Sequence, residues 1–140
     1  MKSALVSAAG IVLILAAASV QAASPEEQAE NCVEAGERYR EMYGKPVAGE
    51  QPPVVLMYKH TFCPPRLTVQ RGSTIRFLNV DKRTSHSFWF RDAGKPESDR
   101  YFPGEGTALV IDLPAGEHKY LCGPHWEQEG MVGTLAVLPP

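Results

Sequence analysis

Hydrophobic positions fall into three regimes along this chain. Ala4 to Ala18 is apolar except for Ser7 and Gly10. Lys2 precedes that run and Val20-Gln21-Ala22 follows it with small residues, the layout of a secretory leader. The run falls short of the ~20 apolar residues that span a bilayer. Residues 1–22 are therefore expected to be a signal peptide, cleaved after Ala22 or Ala23, and no membrane span is expected in the mature protein. Bacterial periplasm is the simplest compartment for such a leader.

The second regime has helical spacing. Ser24 is placed to cap, Pro25 suits the first helical position and Glu27 completes a capping box. Ala29, Cys32, Val33, Gly36, Tyr39 and Tyr43 then recur on one helical stripe, and Gly44 and Pro46 stop it. The pattern predicts one helix over 25–43, with Glu34 and Arg38 paired on its wet face. Residues 44–53 read as a linker.

From residue 54 the period changes to that of strands. Short β-type runs cover 54–59, 67–70, 74–80, 87–91, 107–113, 117–122 and 132–138. Turn signals at Pro64-Pro65, Arg71-Gly72, Asp81-Lys82, Pro114-Ala115-Gly116 and Gly123-Pro124 separate them. Residues 92–106 read as a long polar loop. Seven runs at this spacing predict an all-β, antiparallel sandwich or barrel, preceded by one α-helix. The expected division is 1–22 leader, 23–53 helix and linker, 54–140 β domain.

Composition narrows the function. A chain of 140 residues with 44% apolar residues and a net charge of −2 is one folded domain, not a disordered tail. Acids outnumber bases, sixteen to fourteen, which excludes a basic nucleic-acid surface. A monomer is expected.

The chemistry sits in the last β-type runs. A strand ends at Cys122, Gly123-Pro124 turns the chain, His125 follows, and Met131 opens the final strand. A thiolate, an imidazole and a thioether thus meet on one loop, soft and borderline donors of the kind that select copper over magnesium or calcium. His86 follows the turn at 81–85 and can lie at the same end of a sandwich. His118 sits four residues before Cys122, about 13 Å along an extended strand, out of coordinating range. His60 is expected to have a structural or solvent role. Met42 and Met57 read as packing residues.

These residues resemble the cupredoxins, the type 1 blue copper proteins such as plastocyanin, pseudoazurin and azurin. The resemblance spans roughly 54–138. It rests on the run from Pro65 to Val69, the hairpin Arg71-Gly72-Ser73-Thr74-Ile75-Arg76-Phe77, the segment from Asn79 to His86, Tyr120-Leu121-Cys122-Gly123-Pro124-His125, and Gly130-Met131-Val132-Gly133. It implies an all-β Greek-key β-sandwich of about seven to eight strands with one extra N-terminal α-helix, and one type 1 copper ion held by His86, Cys122 and His125, with Met131 as a weak axial ligand. It implies electron transfer, not catalysis, with the edge of His125 as the electron port. The partner would be a redox protein such as a c-type cytochrome or a periplasmic oxidoreductase. A copper carrier or storage protein, or a copper redox enzyme with an open coordination position, uses the same donors and remains an alternative.

Two features depart from the family. Five residues, 126–130, separate His125 from Met131 where plastocyanin and pseudoazurin have four, so Glu127, Gln128 and Glu129 also compete for the axial position. Ser87 stands where the family usually has Asn. Phe88, Trp89, Phe90 and Trp126 are candidates for the shell around the metal. Glu127 and Glu129 place acid beside the port. Cys32 and Cys63 remain once Cys122 is assigned. In an exported domain they are expected to bridge the helix to the sandwich, the alternative being two separate thiols.

Overall fold

A computed structural model describes residues 21–140. The expected leader lies outside the described residues except for Gln21 and Ala22. Helix α1 spans Pro25–Tyr43, and seven strands follow: β1 (Val54–Tyr58), β2 (Thr61–Cys63), β3 (Arg66–Gln70), β4 (Thr74–Asn79), β5 (Gly106–Val110), β6 (Gly116–Leu121) and β7 (Val132–Leu138). A one-turn helix, α2, covers Trp126–Glu129. No helix among the described residues is long and apolar enough to cross a membrane.

The strands form two sheets, ordered β2-β1-β4-β5 and β3-β7-β6. Within them β1 runs parallel to β4 and β3 parallel to β7, while the remaining pairs are antiparallel, so the sandwich is mixed and not wholly antiparallel as the run spacing predicts. The main core lies between the sheets. Val55, Met57, Phe62, Ile75 and Phe77 meet Tyr120, Leu135 and Val137 there. The Phe77 ring stacks on Phe88 at 3.9 Å and meets Tyr120 edge-on at 5.5 Å. Gly133 is needed opposite that Tyr120 ring, because a Cβ there would collide with it.

A second core lies behind the first sheet. Val54, Leu56 and Tyr58 point away from Val55 and Met57 and pack, with Leu78 and Val80, against Ala35 and Tyr39 of α1. The continuous apolar run of β1 follows from burial on both faces. A Cys32–Cys63 disulfide ties the helix to β2. Asn31 donates to Thr61 across the same interface at 3.0 Å.

Helix α1 starts as expected, with the Ser24 hydroxyl accepting from the Glu27 N–H, and ends at Gly44 in the left-handed region. Its buried face is rotated from the predicted stripe. Asn31, Ala35 and Tyr39 are buried, while Val33 is 64% exposed. Glu34 does not pair with Arg38. It binds Lys59 and Tyr58, each at 2.8 Å, and Arg38 binds Glu41. The helix uses its charged residues to grip the sheet, which turns a polar row inward.

The predicted strand at 87–91 does not form. That segment makes only isolated bridges, His86 with Tyr101 and Trp89 with Leu121, and then a short 3-10 turn at Arg91–Ala93. Its apolar side chains are there because Phe88 and Phe90 fill the core. The short β2 was not visible as a run of its own.

Candidate metal centre

The Cys122–Met131 loop is held by its own backbone. The Cys122 carbonyl accepts from the N–H groups of His125 and Trp126 at 3.0 and 2.8 Å, which folds His125 back toward Cys122. The five residues after His125 are taken up by α2, whose end at Gly130 is left-handed with φ 63°. The chain then returns so that Met131 donates to the His125 carbonyl and accepts from the Cys122 N–H at 3.1 Å. The extra residue is thus absorbed by a helical turn, and Met131 stays beside Cys122. Met131 is fully buried in the core cluster that includes Cys122, whereas Glu127 and Gln128 are exposed and Glu129 is half-buried.

His86 arrives from the other side. Asn79, fully buried at the end of β4, donates to the carbonyls of Thr84 and Tyr101 and accepts from the Asp81 N–H. This fixes the turn that leads into His86. The His86 ring is buried, with Nδ1 3.6 Å from Cys122 Sγ. His125 Nδ1 lies 3.4 Å from the same sulfur. One donor atom from each of His86, Cys122 and His125 falls within 4.8 Å of the others.

The opposite nitrogen of His86 is occupied. Nε2 lies 2.9 Å from Asp81 Oδ2. That carboxylate also accepts from the N–H groups of Lys59 and Lys82. Burial pushes the Asp81 carboxyl up, but the hydrogen bonds from His86, Lys59 and Lys82 outweigh it and hold it below its ordinary value. A proton on Nε2 leaves Nδ1 with a free lone pair facing the sulfur, the orientation a metal-binding imidazole requires.

Burial raises the Cys122 thiol to about 11, with the nearby Glu97 charge adding to it against the N–H groups of Ser87 and His125. The thiol is therefore protonated at neutral pH, and a metal must displace that proton. His125 is shifted the other way, first by burial and then by His86 and His60, so it stays neutral. Two imidazole nitrogens and one buried sulfur aimed at a common point suit a soft or borderline metal ion.

A cupredoxin-like domain family matches residues 8–137. The chain belongs to the cupredoxin-like family. A plastocyanin from Nostoc punctiforme is 31% identical over 90 residues, covering 54% of this chain and 63% of that protein. The chain thus spans somewhat less than two thirds of that curated relative. Among solved structures, an oxidised amicyanin variant superposes with a TM-score of 0.52 at 24% identity, covering 61% of this chain and 80% of that one. A reduced Cu(I) amicyanin variant at pH 4 gives 0.54 at 23%, covering 65% and 86%. A copper-containing nitrite reductase from Thermus scotoductus gives 0.53 at 24%, covering 69% of this chain but 24% of that one. At these identities the structures speak to the fold.

In this cupredoxin Phe88 and Phe90 belong to the core shared with Cys122 and Met131. Trp89 turns outward and donates to the Lys95 carbonyl. Trp126 carries the Arg91 guanidinium 4.7 Å over its ring. His118 lies near the Pro114 carbonyl. His60 sits in the exposed turn after β1, with its ring centroid 5.2 Å from that of His125. Three contributors to the site escape the sequence reading: His60, Asp81 and Glu97. Asp81 reads as an ordinary turn residue, and the other two lie far along the chain from what they touch.

Proposed function

We propose that this chain is an exported single-copper electron carrier, with His86 and His125 binding through Nδ1, Cys122 through Sγ, and Met131 as a weak fourth donor. The convergence of those two Nδ1 atoms on one buried sulfur carries the reading. Bound there, copper supplies one-electron chemistry, Cu(II) to Cu(I) and back. The protein supplies rigidity. Asp81 fixes one imidazole, the Cys122 carbonyl fixes the loop carrying the other, and both sheets hold the cysteine. Two imidazoles and a thiolate held this way would serve both oxidation states, so little would need to move.

His125 is half-buried and gives the site its edge toward solvent, with His60 beside it. That edge is the electron port in this reading. The donor and acceptor are redox proteins, such as a c-type cytochrome and a periplasmic oxidoreductase. The leader-like residues 1–22 and the Cys32–Cys63 disulfide support export, since disulfides persist outside the cytosol. The mature protein then begins near Ala23, as helix and linker to residue 53 and the copper domain from 54 to 140.

A redox titration of the copper-loaded protein tests this. The expected result is reversible one-electron bleaching of a strong thiolate-to-copper band. Colourless Cu(I) released to an acceptor protein, or colour changes on adding small anions, would instead indicate carriage or an open enzymatic site.

A further inference from the structure

Glu97 lies in the polar loop between β4 and β5, yet its carboxylate reaches the ligand loop. Residues 98–101 dock beside the segment that carries His86. Ser98 N–H donates to the Phe88 carbonyl, Phe88 N–H donates to the Ser98 hydroxyl, and His86 and Tyr101 exchange both backbone hydrogen bonds. This delivers Glu97 to Ser87, which is fully buried. The Ser87 hydroxyl donates to Glu97 Oε1 at 2.6 Å and accepts from the Gly123 N–H at 2.9 Å. Gly123 follows Cys122 directly, and a Cβ there would collide with the Glu97 carboxylate. Glycine at this position is what lets the carboxylate settle over the loop.

A serine hydroxyl has one proton to donate. Here it is committed to a carboxylate at a charge-assisted distance. Glu97 thus places a negative charge against the residue that follows Cys122. Reduction adds one electron, supplied by the redox partner, and no proton, so the site becomes less positive. A nearby negative charge opposes that change and favours Cu(II).

We propose that Glu97 is a positioning residue that braces the ligand loop through Ser87 and biases the site toward its oxidised form. This rests on the copper reading above. Two replacements separate its two effects. Glu97→Gln removes the charge but keeps an oxygen able to accept the Ser87 proton. Glu97→Ala removes both. Glu97 is exposed, so neither opens the core.

The midpoint potential is expected to rise relative to wild type in both Glu97→Gln and Glu97→Ala. At fixed applied potential the Cu(II) to Cu(I) ratio then falls severalfold, up to about tenfold, which equals about 59 mV for one electron. In metal-free protein, exchange of the Gly123 amide hydrogen is expected to speed up in Ser87→Ala and Glu97→Ala and to stay near wild type in Glu97→Gln. Unchanged potentials in both Glu97 variants, with the thiolate band intact, overturn the bias. Unchanged Gly123 exchange in Ser87→Ala and Glu97→Ala overturns the brace. A wild-type protein with no thiolate band contradicts the copper reading itself, and the metal-free exchange experiment still decides the brace.

Discussion

The Nε2 atom of His86 lies 2.9 Å from Oδ2 of Asp81, on the side of the ring away from Cys122. The imidazole is therefore aimed before any metal arrives. Partners of this kind typically contribute 10–100-fold to metal affinity. Asp81→Asn is expected to weaken copper binding by about that factor, measured by competition with a chelator of known affinity. Equal affinity in the variant would mean that the turn alone orients His86.

The buried position of Met131, against the exposure of Glu127 and Gln128, makes it the fourth donor in this account. Met131→Gln is expected to shift the visible spectrum of the copper-loaded protein while leaving binding intact. A spectrum that ignores the change would move the axial contact elsewhere.

The Cys32–Cys63 bridge closes a sequence separation of 31 residues. Chain-entropy arithmetic gives about 3–4 kcal/mol for such a loop. Replacing both cysteines by serine is expected to lower unfolding stability by up to that amount in denaturant melts, with the copper spectrum unchanged. A spectrum lost along with the bridge would tie the helix to the metal centre.

Glu34 links α1 to the sheet through Lys59 and Tyr58. The hydrogen bond from Lys59, then that from Tyr58, holds its carboxyl below the ordinary value of 4.5. A lowered folded pKa contributes stability that is fully present above the unfolded value and lost as pH falls through the folded one. Metal-free protein is expected to lose melting temperature as pH drops below about 4.5, with a shallower fall in Glu34→Gln. Identical acid profiles would show that this contact does not stabilise the docked helix.

Much of the fold was legible because its signals are local. The capping sequence at Ser24 and the stop at Gly44 bound α1 correctly. Alternation and turn residues located six of the seven strands. The failures share one cause, which is that long-range packing decided the outcome. Residues 87–91 look like a strand because Phe88 and Phe90 are apolar, but they serve the core and find no continuous ladder. The α1 face is rotated because Asn31 and Glu34 have partners on β2, β1 and its following turn, which no helical periodicity reveals.

The candidate site divides in the same way. Cys122, His125 and Met131 are close in sequence, so their meeting could be read directly. His86 is placed at that end by the turn before it, and the family resemblance made it a ligand. Asp81 and Glu97 were invisible because carboxylates on turns and polar loops are usually solvated, and only the tertiary fold brings one to an imidazole and the other to Ser87. His60 meets His125 only because the turn after β1 reaches the same end of the sandwich as the ligand loop.

Copper titration followed by visible absorption, in wild type and Cys122→Ser, tests the central claim most directly. An intense thiolate-to-copper band is expected that saturates at a single equivalent in wild type and vanishes in the serine variant. No such band in wild type, or the same band in both proteins, would contradict a metal centre built on Cys122.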